Sequence, residues 1–200
     1  MSLGNVKIIY AVACAALGLI IVGPTLALVI GFPVGEPFSE LYLLGSDRLA
    51  EGYPFDVRGD VNYNISVGVV DHIGSLGYYV VYVKLRNQTD PLPNSTAGTP
   101  STLEPLCEYR LILRDSQPWE RNVSFSLGNV AIEGNSCRIG SFSVDNAVVN
   151  IEKTAAWNET NHGFFCELFF ELWLYNTVNS ALEFNNRFVG VWLNVTRNTS

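Results

Sequence analysis

Apolar side chains recur at every second position along much of this chain, and this alternation constrains the fold more than any other feature. In 61–70, large apolar residues at the odd positions alternate with mostly polar or small residues at the even positions. The same period recurs at 80–86, 108–114, 122–127, 168–174 and 189–195. A period of two is typical of a β-strand that turns one face to a core. With a further strand expected at 38–44, the sequence predicts an all-β sandwich of about seven core strands.

Two long connections interrupt the alternation within the predicted domain, which covers residues 35–200. Residues 87–106 hold four prolines and many Ser and Thr residues, a composition that predicts a surface loop. Residues 128–163 hold a weaker strand-like stretch at 139–151 and a polar loop at 157–163. We interpret 87–106 and 128–163 as insertions, where functional variation usually concentrates.

Seven Asn-x-Ser/Thr sequons lie in the predicted domain. They begin at Asn64, Asn87, Asn94, Asn122, Asn158, Asn194 and Asn198. Roughly two would arise by chance from the composition, so the surplus is typical of a glycosylated, extracytoplasmic surface. Asn64, Asn122 and Asn194 fall on the polar faces of their predicted strands, and the others fall in loops or in the C-terminal tail. No N-linked glycan would therefore have to point into the core.

The charge of the chain disfavours one class of partner. The net charge is -7 and the pI is near 4.8, whereas a nucleic-acid-binding surface needs a basic face. Charged residues make up 16% of the sequence, below the roughly 25% that is usual for a soluble domain. We expect Asn, Ser, Thr and N-linked glycans to supply the missing solvation, and we expect no nucleic-acid partner.

The four cysteines divide between the two parts of the chain. Cys14 lies in the apolar N-terminal segment, and Cys107, Cys137 and Cys166 lie in the predicted domain. Outside the cell two of these three are expected to pair, and a loop of about 30 residues would then contribute roughly 3 kcal/mol. We favour Cys137 with Cys166, and Cys107 is the alternative partner. The spacing of Cys and His fits no zinc motif, so we expect no metal site.

The first 34 residues read as a signal peptide or a membrane anchor. An uncharged apolar run at 8–30 follows Lys7 and is long enough to span a bilayer, with the N-terminus inside. The tripeptide Thr25-Leu26-Ala27 also resembles a signal-peptidase site, after which the body would be secreted. Both alternatives place residues 35–200 outside the cell.

Beyond Gly23-Pro24 the apolar run changes its pattern. Large and small side chains alternate, and the large ones are Leu28, Ile30, Phe32 and Val34. This period is strand-like, so cleavage after Ala27 would leave 28–34 as an apolar strand without a partner of its own. Such a strand could fill a groove in a neighbouring subunit. The alternative is that these residues form the outer end of a membrane helix.

Aromatic residues form a stripe on the outward face of two predicted strands. If the alternate residues of 168–174 face the core, then Phe169, Trp173, Tyr175 and Trp192 face outward. Cover by the 128–163 insertion would hide them. Otherwise the stripe is a docking surface, or Trp173 and Trp192 are stacking platforms for a sugar.

The sequence holds no recognisable catalytic or cofactor-binding arrangement. His72 and His162 are the two histidines, and both are expected in loops. Glu167 and Glu171 share one strand face, where we expect them to solubilise a sheet edge. Since the familiar nucleophile, phosphate-binding and metalloprotease motifs are absent from the sequence, we expect a protein that is not an enzyme and that binds no cofactor.

Several motifs of the predicted domain resemble a known family. They are GEPFSELYLLG at 35–45, EGYP at 51–54, FELWLYN at 170–176 and VWLNV at 191–195. They resemble an uncharacterised, mostly archaeal family in which membrane helices precede an extracellular immunoglobulin-like domain. The resemblance implies an archaeal surface protein with an immunoglobulin-like β-sandwich, and it supplies no catalytic residues.

These observations together predict a non-enzymatic, glycosylated cell-surface protein. In the first hypothesis it is a filament subunit, and 28–34 of one copy enters the next copy. In the alternative, 8–30 stays in the membrane and the domain is an accessory or adhesive part of a larger surface complex. A sugar-binding module is a third hypothesis. The expected partners are copies of itself or other surface proteins, N-linked glycans, and the membrane if 8–30 is not cleaved.

Overall fold

The computed structural model describes residues 36–197 and, nearer the N-terminus, residues 7, 8, 10–18, 20 and 22. The chain divides into two compact units, Met1–Pro37 and Phe38–Ser200. The described residues before residue 23 are helical. Among all described residues, no helix is both long enough and apolar enough to cross a bilayer. The sequence-based predictions for Leu28, Ile30, Phe32, Val34 and Asn198, and for much of the 8–30 segment, concern residues outside the described set.

The second unit consists of β-strands, which confirms the predicted all-β fold. The strands are β1 (Phe38–Leu44), β2 (Asp56–Arg58), β3 (Tyr63–His72), β4 (Gly77–Asn87), β5 (Cys107–Leu113), β6 (Pro118–Glu133), β7 (Ser136–Val144), β8 (Ala147–Asn158), β9 (Gly163–Asn176) and β10 (Ala181–Thr196). They outnumber the predicted core strands because segments expected to be irregular also form strands.

The strands pair into a curled sheet with two halves. The first half has the order β1-β3-β6-β7-β8 and is antiparallel throughout. In the second half β4 lies between β5 and β9, β9 pairs with β10, and β10 pairs in parallel with β2. The halves are linked where Trp157 and Asn158 of β8 pair with Phe164 and Gly163 of β9. This arrangement is consistent with a β-sandwich.

A single hydrophobic core contains side chains from both halves. Ile65 and Val67 of β3 and Leu168 and Phe170 of β9 are fully buried and belong to this core. Successive side chains of a strand point to opposite faces, so the alternation in the sequence selects the residues that enter this core. The alternation is therefore the direct cause of the fold.

The segment 128–163, which the sequence analysis interprets as an insertion, consists mainly of strands paired within the sheet, and its status as an insertion stays a prediction. Its residues form the end of β6, all of β7 and β8, and the turn into β9. The pattern was hard to recognise because β7 buries small polar residues such as Ser141, while β8 exposes Val148 to 69%. By contrast, 88–106 contains no strand, apart from an isolated bridge between Asn94 and Thr99.

The cysteines favoured for a disulfide lie in the shared core. Cys137 of β7 and Cys166 of β9 are both fully buried and belong to the same cluster of apolar side chains. Burial raises the pKa of Cys166 to about 12, and the neighbouring Cys137 adds to this rise. Both are free thiols in this structure, as are Cys14 and the half-buried Cys107. The structure thus places the favoured pair in one core, and the disulfide stays a prediction.

We expect Phe142→Ala to lower the free energy of unfolding by about 3–5 kcal/mol. Phe142 is fully buried and stacks on Phe125 with a centroid distance of 5.8 Å, so its truncation leaves a cavity in the core. Urea denaturation of the full chain measures the loss. The exposed Val148 on the next strand is the control, since Val148→Ala removes no buried contact. Equal effects of both substitutions would contradict the packing described here.

Candidate functional site on the outer face of the central strands

Strand β9 is buried on both faces, and its outer face carries charge. On this face Glu167 and Glu171 alternate with Phe169, and all three are buried. In register, Arg86 of β4 and Trp192 of β10 lie on either side of Glu167. Phe169 thus lies on the predicted aromatic face but does not reach solvent.

Two ion pairs lie on this buried face. The Nζ atom of Lys84 is 2.9 Å from Oε2 of Glu171, and the two side chains are 4% and 0% exposed. The Nε atom of Arg86 is 2.5 Å from Oε2 of Glu167. The expectation that Glu167 and Glu171 solubilise a sheet edge is therefore wrong, because β9 is flanked by β4 and β10 and its carboxylates are paired internally.

The loop that follows β4 covers the Lys84–Glu171 pair. The backbone N–H of Ser101 donates to Oε1 of Glu171 at 2.7 Å, and Lys84 Nζ donates to the carbonyl oxygen of Ser101 at 2.9 Å. Arg86 Nη1 donates to the carbonyl oxygen of Asp90 at 2.9 Å. These contacts to the buried charges come from the segment 87–106. Charged groups hold this cover in place because each buried charge needs partners.

A further carboxylate ties the same loop to β8. Asp90 Oδ2 accepts from Lys153 Nζ at 2.7 Å and from the backbone N–H of Asn87 at 3.0 Å. Burial alone would raise the pKa of Asp90, but these two hydrogen bonds and the nearby charges of Lys153 and Arg86 outweigh it and lower the pKa. The loop is thus fixed at both the β4 and the β8 side.

Gly190 makes room for the second ion pair. A Cβ atom at this position would lie 2.6 Å from Oε1 of Glu167 and 2.9 Å from Cβ of Phe169. Real Cβ atoms do not approach other atoms so closely, so any side chain here would displace Glu167 from Arg86. The close approach of Glu167 and Phe169 therefore explains why a glycine occupies position 190 of β10.

An aromatic cleft opens beside the ion pairs. Its volume is about 500 Å³, which is within the range of ordinary ligand sites, and we call it the Trp192 cleft. Its lining residues are Phe55, Gln88, Asn158, Asn161, Phe165 and Trp192. The Arg86 guanidinium carbon lies 4.7 Å from the centroid of the Trp192 ring, which fixes the orientation of this partly exposed indole.

Polar groups in the Trp192 cleft complement its rings. Phe55 and Phe165 lie with their centroids 6.1 Å apart. The Nε2 atom of Gln88 is buried and has no hydrogen-bond partner among the described residues. A cleft that combines aromatic faces with amide donors suits a ligand with an apolar face and hydroxyl or carbonyl acceptors.

The other members of the predicted aromatic stripe lie outside this cleft. Trp173 is half-buried, packs edge-on against Tyr82 with centroids 5.5 Å apart, and donates from Nε1 to Oε2 of Glu171 at 3.2 Å. Tyr175 is exposed near Tyr78. Phe169, Trp173, Tyr175 and Trp192 therefore do not form one continuous exposed surface.

A second feature is an open seam between β1 and β10. Within residues 36–197, β1 pairs along one edge with β3, while β10 pairs with β9 along one edge and with β2 only at 194–196. The remaining edge of β1 and the edge of β10 over 181–193 have no strand partner among the described residues. We call the space between these two edges the β1–β10 seam.

Apolar side chains line the β1–β10 seam. A cleft of about 330 Å³ lies there, and its lining residues are Leu41, Tyr42, Leu43, Tyr53, Val189, Gly190 and Val191. Val189 and Val191 are half-buried, whereas Leu193 and Val195, on the same face of β10 and nearer to β2, are fully buried. The core is therefore less completely covered where β10 lacks a second neighbour.

The described sequon asparagines differ in their surroundings. Asn64, Asn94 and Asn122 are exposed. The Nδ2 atoms of Asn87 and Asn194 donate to the carbonyl oxygen of Thr154 at 2.9 Å and to Oδ1 of Asp56 at 2.8 Å. Asn158 is half-buried and lines the Trp192 cleft.

The buried basic residues were not recognised as site residues in the sequence. Lys84 and Arg86 are two positions apart, on the same face of β4, and the paired carboxylates belong to a strand of the same period. Opposite charges on matching faces of two predicted strands are a usable signal for cross-strand pairing. Among the described residues, no group of three or more His, Cys, Asp or Glu side chains could hold a metal ion.

No family model and no curated protein matches the chain. The chain is similar to part of beta-glucosidase from Listeria innocua in complex with glucose, with a TM-score of 0.39 and 9% identity over 80% of this chain and 16% of that chain. A structure of beta-glucosidase from Listeria innocua in complex with gluconolactone gives a TM-score of 0.35 and 13% identity over 79% of this chain and 16% of that chain. The chain thus spans about a sixth of the length of the proteins it matches.

The comparison corrects one conclusion of the sequence analysis. The sequence analysis expects a protein that is not an enzyme because it recognises no catalytic motif, but the two solved structures reported above are beta-glucosidases. The exclusion is therefore withdrawn. The low TM-scores and identities also assign no activity to this chain.

We expect Lys84→Met to lower the free energy of unfolding by about 3–5 kcal/mol, because it leaves the Glu171 carboxylate buried and uncompensated. The double variant Lys84→Met/Glu171→Leu should recover most of this loss, since it removes both buried charges. Urea denaturation of the three proteins measures both effects. Arg138→Met, which breaks an exposed pair with Glu152, is the control and should change little. A double variant no more stable than Lys84→Met would contradict this account.

Proposed function

We propose that this chain is a subunit of a glycosylated extracellular filament that assembles by strand donation. In this proposal, residues 28–34 of one copy add as a strand to the β1–β10 seam of the next copy. The observation that carries the proposal is the seam itself, where two strand edges without a strand partner among the described residues border an incompletely covered core. Side chains contact the β1 edge at two carbonyl oxygens, since Arg187 Nε donates to Ser39 and the Tyr53 hydroxyl donates to Leu43, and a donor strand would have to replace these contacts. The resemblance of the sequence to an archaeal family with extracellular immunoglobulin-like domains supports the same location.

The chemistry of the donor segment matches that of the seam. An added strand would supply backbone N–H and C=O groups to an open edge and would place every second side chain against the core. Val189, Val191 and Leu43 are the half-buried apolar side chains that such a strand would cover. In 28–34 the large residues have the same period of two, so they would all face inward together.

The two-half architecture also supports this class of protein. We propose that the halves, which share one core, form an immunoglobulin-like sandwich with one side left open for the donor. The donor and the seam are different surfaces, so each copy can donate to one neighbour and accept from another. Such heterologous contacts propagate into a thread rather than close into a dimer.

Exposed sequons support a glycosylated surface. Asn64 on β3 and Asn122 on β6 lie on the outer face of the first half, diagonal to each other in the strand register. Asn94 is exposed in the loop after β4. None of these three lines the β1–β10 seam, so their glycans would leave it open to a donor strand.

The double substitution Ile30→Asp/Phe32→Asp should abolish filament formation, because it places two charges on the donor face that enters the core. The control is Val29→Asp/Gly31→Asp, which adds the same charge to the opposite face of the same segment. Electron microscopy and sedimentation of material from expressing cells measure assembly. If assembly survives the first variant, or if both variants lose it equally, strand donation through these side chains is wrong.

A cysteine pair across the seam should identify the occupant. In a Cys14→Ser background, Ile30→Cys combined with Val191→Cys should give a ladder of covalent oligomers on a non-reducing gel. The matched control is Ile30→Cys with Val148→Cys, since Val148 is exposed and does not line the seam. A monomer with an internal crosslink would instead mean that the segment fills its own seam. Absence of any specific crosslink would favour the membrane-anchored alternative and would contradict the filament.

A further inference from the structure

The Trp192 cleft contains its own glycosylation sequon, and this coincidence suggests what fills it. Asn158 begins the sequon Asn158-Glu159-Thr160 and lines the cleft together with Trp192 and Phe165. We propose that the Trp192 cleft binds the first sugar of an N-linked glycan attached to Asn158 of the same chain. This inference rests on the glycosylation that forms part of the proposed function, but it does not depend on filament assembly.

The side chain of Asn158 is arranged for attachment. Its Oδ1 accepts from the backbone N–H groups of Thr160 at 3.0 Å and Asn161 at 2.9 Å, which fixes the side chain in a turn between β8 and β9. Its Nδ2 atom, the atom that carries an N-linked glycan, has no hydrogen-bond partner among the described residues. Asn87 and Asn194 are also half-buried, but their Nδ2 atoms donate to Thr154 and Asp56. Of these three half-buried asparagines, Asn158 alone has its amide nitrogen available.

The lining of the cleft matches the chemistry of a sugar ring. A pyranose presents C–H groups on one face, which pack on aromatic rings, and Trp192, Phe55 and Phe165 supply such rings. Around its rim it presents hydroxyl or N-acetyl oxygens, which accept hydrogen bonds. The amide-bearing residues Gln88 and Asn161 also line the cleft, and their side chains are of the type that donates to such oxygens.

The attachment point favours the chain's own glycan over a free sugar. A ligand tethered within its binding site has a local concentration on the order of millimolar or more, so weak contacts suffice to hold it. A free sugar or a glycan of another copy would have to displace a sugar already attached beside the cleft. The bound glycan would also cover Trp192 and Phe55, which are otherwise 37% and 51% exposed.

The experiment uses the full chain from a host whose N-glycans begin with N-acetylglucosamine. Glycopeptide mass spectrometry first gives the occupancy of each sequon. Thr160→Ala removes the acceptor sequon but retains the backbone N–H that holds the Asn158 turn. We expect this variant to lower the melting temperature by about 2–4 °C, the scale of one lost aromatic packing contact in a chain of this size. Thr96→Ala, which removes the exposed sequon at Asn94, is the control and should leave the melting temperature unchanged.

A double-mutant cycle separates the contact from a local structural effect. In a Trp192→Ala background, where Phe55 and Phe165 remain, Thr160→Ala should cause a smaller loss than in the parent protein, and in a Trp192→Phe background, which keeps a ring, the loss should return in part. On the folded protein, an amidase that removes N-glycans should act more slowly at Asn158 than at Asn94. Trp192→Ala should abolish that protection. If the protection depends on protein concentration, the cleft binds a glycan of another copy and the proposal is wrong.

The remaining outcomes distinguish this proposal from the proposed function. If Asn64, Asn94 and Asn122 carry glycans and Asn158 does not, the inference fails while the glycosylated surface stands. If Thr160→Ala has the same effect with and without Trp192, the glycan does not contact the indole and the inference fails as well. If no sequon is occupied in the native protein, the glycosylation that underlies both proposals is wrong.

Discussion

The buried ion pairs on β9 are the constraint on which the rest of the second half depends. One face of β9 packs on the core, and the other face buries charged side chains. Removing a charged group from water costs free energy, so each of these charges needs an oppositely charged partner. Lys84 and Arg86 pair Glu171 and Glu167, and the backbone of Ser101 satisfies both members of the first pair. The loop 87–106 is therefore held in place, because its backbone groups form hydrogen bonds with the buried charges beneath it.

The outward face of β10 and its edge beside β1 differ in how well their side chains are packed. Its outward residues are held against β9 by Gly190, which admits the Glu167 carboxylate, and by the Arg86 cation over Trp192. Its free edge, by contrast, leaves Val189 and Val191 half-buried beside β1. These partly open apolar side chains beside an edge without a strand partner are the physical basis for proposing strand addition there.

The sequence predicted those parts of the structure that follow from local periodicity. Residues 61–70 alternate clearly because Ile65, Val67 and Val69 face the core, and this period identified β3. Strand β8 was hard to recognise because its inward residues, apart from Ala155, are only partly buried and Val148 is exposed. The ion pairs were missed for a different reason. Whether Glu171 meets water or Lys84 depends on the pairing of β4 with β9 and on the cover by the loop after β4, and the period of one strand alone shows neither.

The proposed donor-strand site and the proposed glycan site use adjacent residues of β10, and they can be tested separately because these residues face different surfaces. Val191 faces the β1–β10 seam and Trp192 faces the Trp192 cleft, because successive side chains of a strand point to opposite faces. A donor strand would add along the edge of β10, whereas the glycan would cover its outer face. Substitution of Trp192 should therefore leave assembly intact, and substitution of Ile30 and Phe32 in the donor should leave the protection of the Asn158 glycan intact. Electron microscopy and amidase digestion of the same two variants measure this independence, and joint loss of both properties would contradict it.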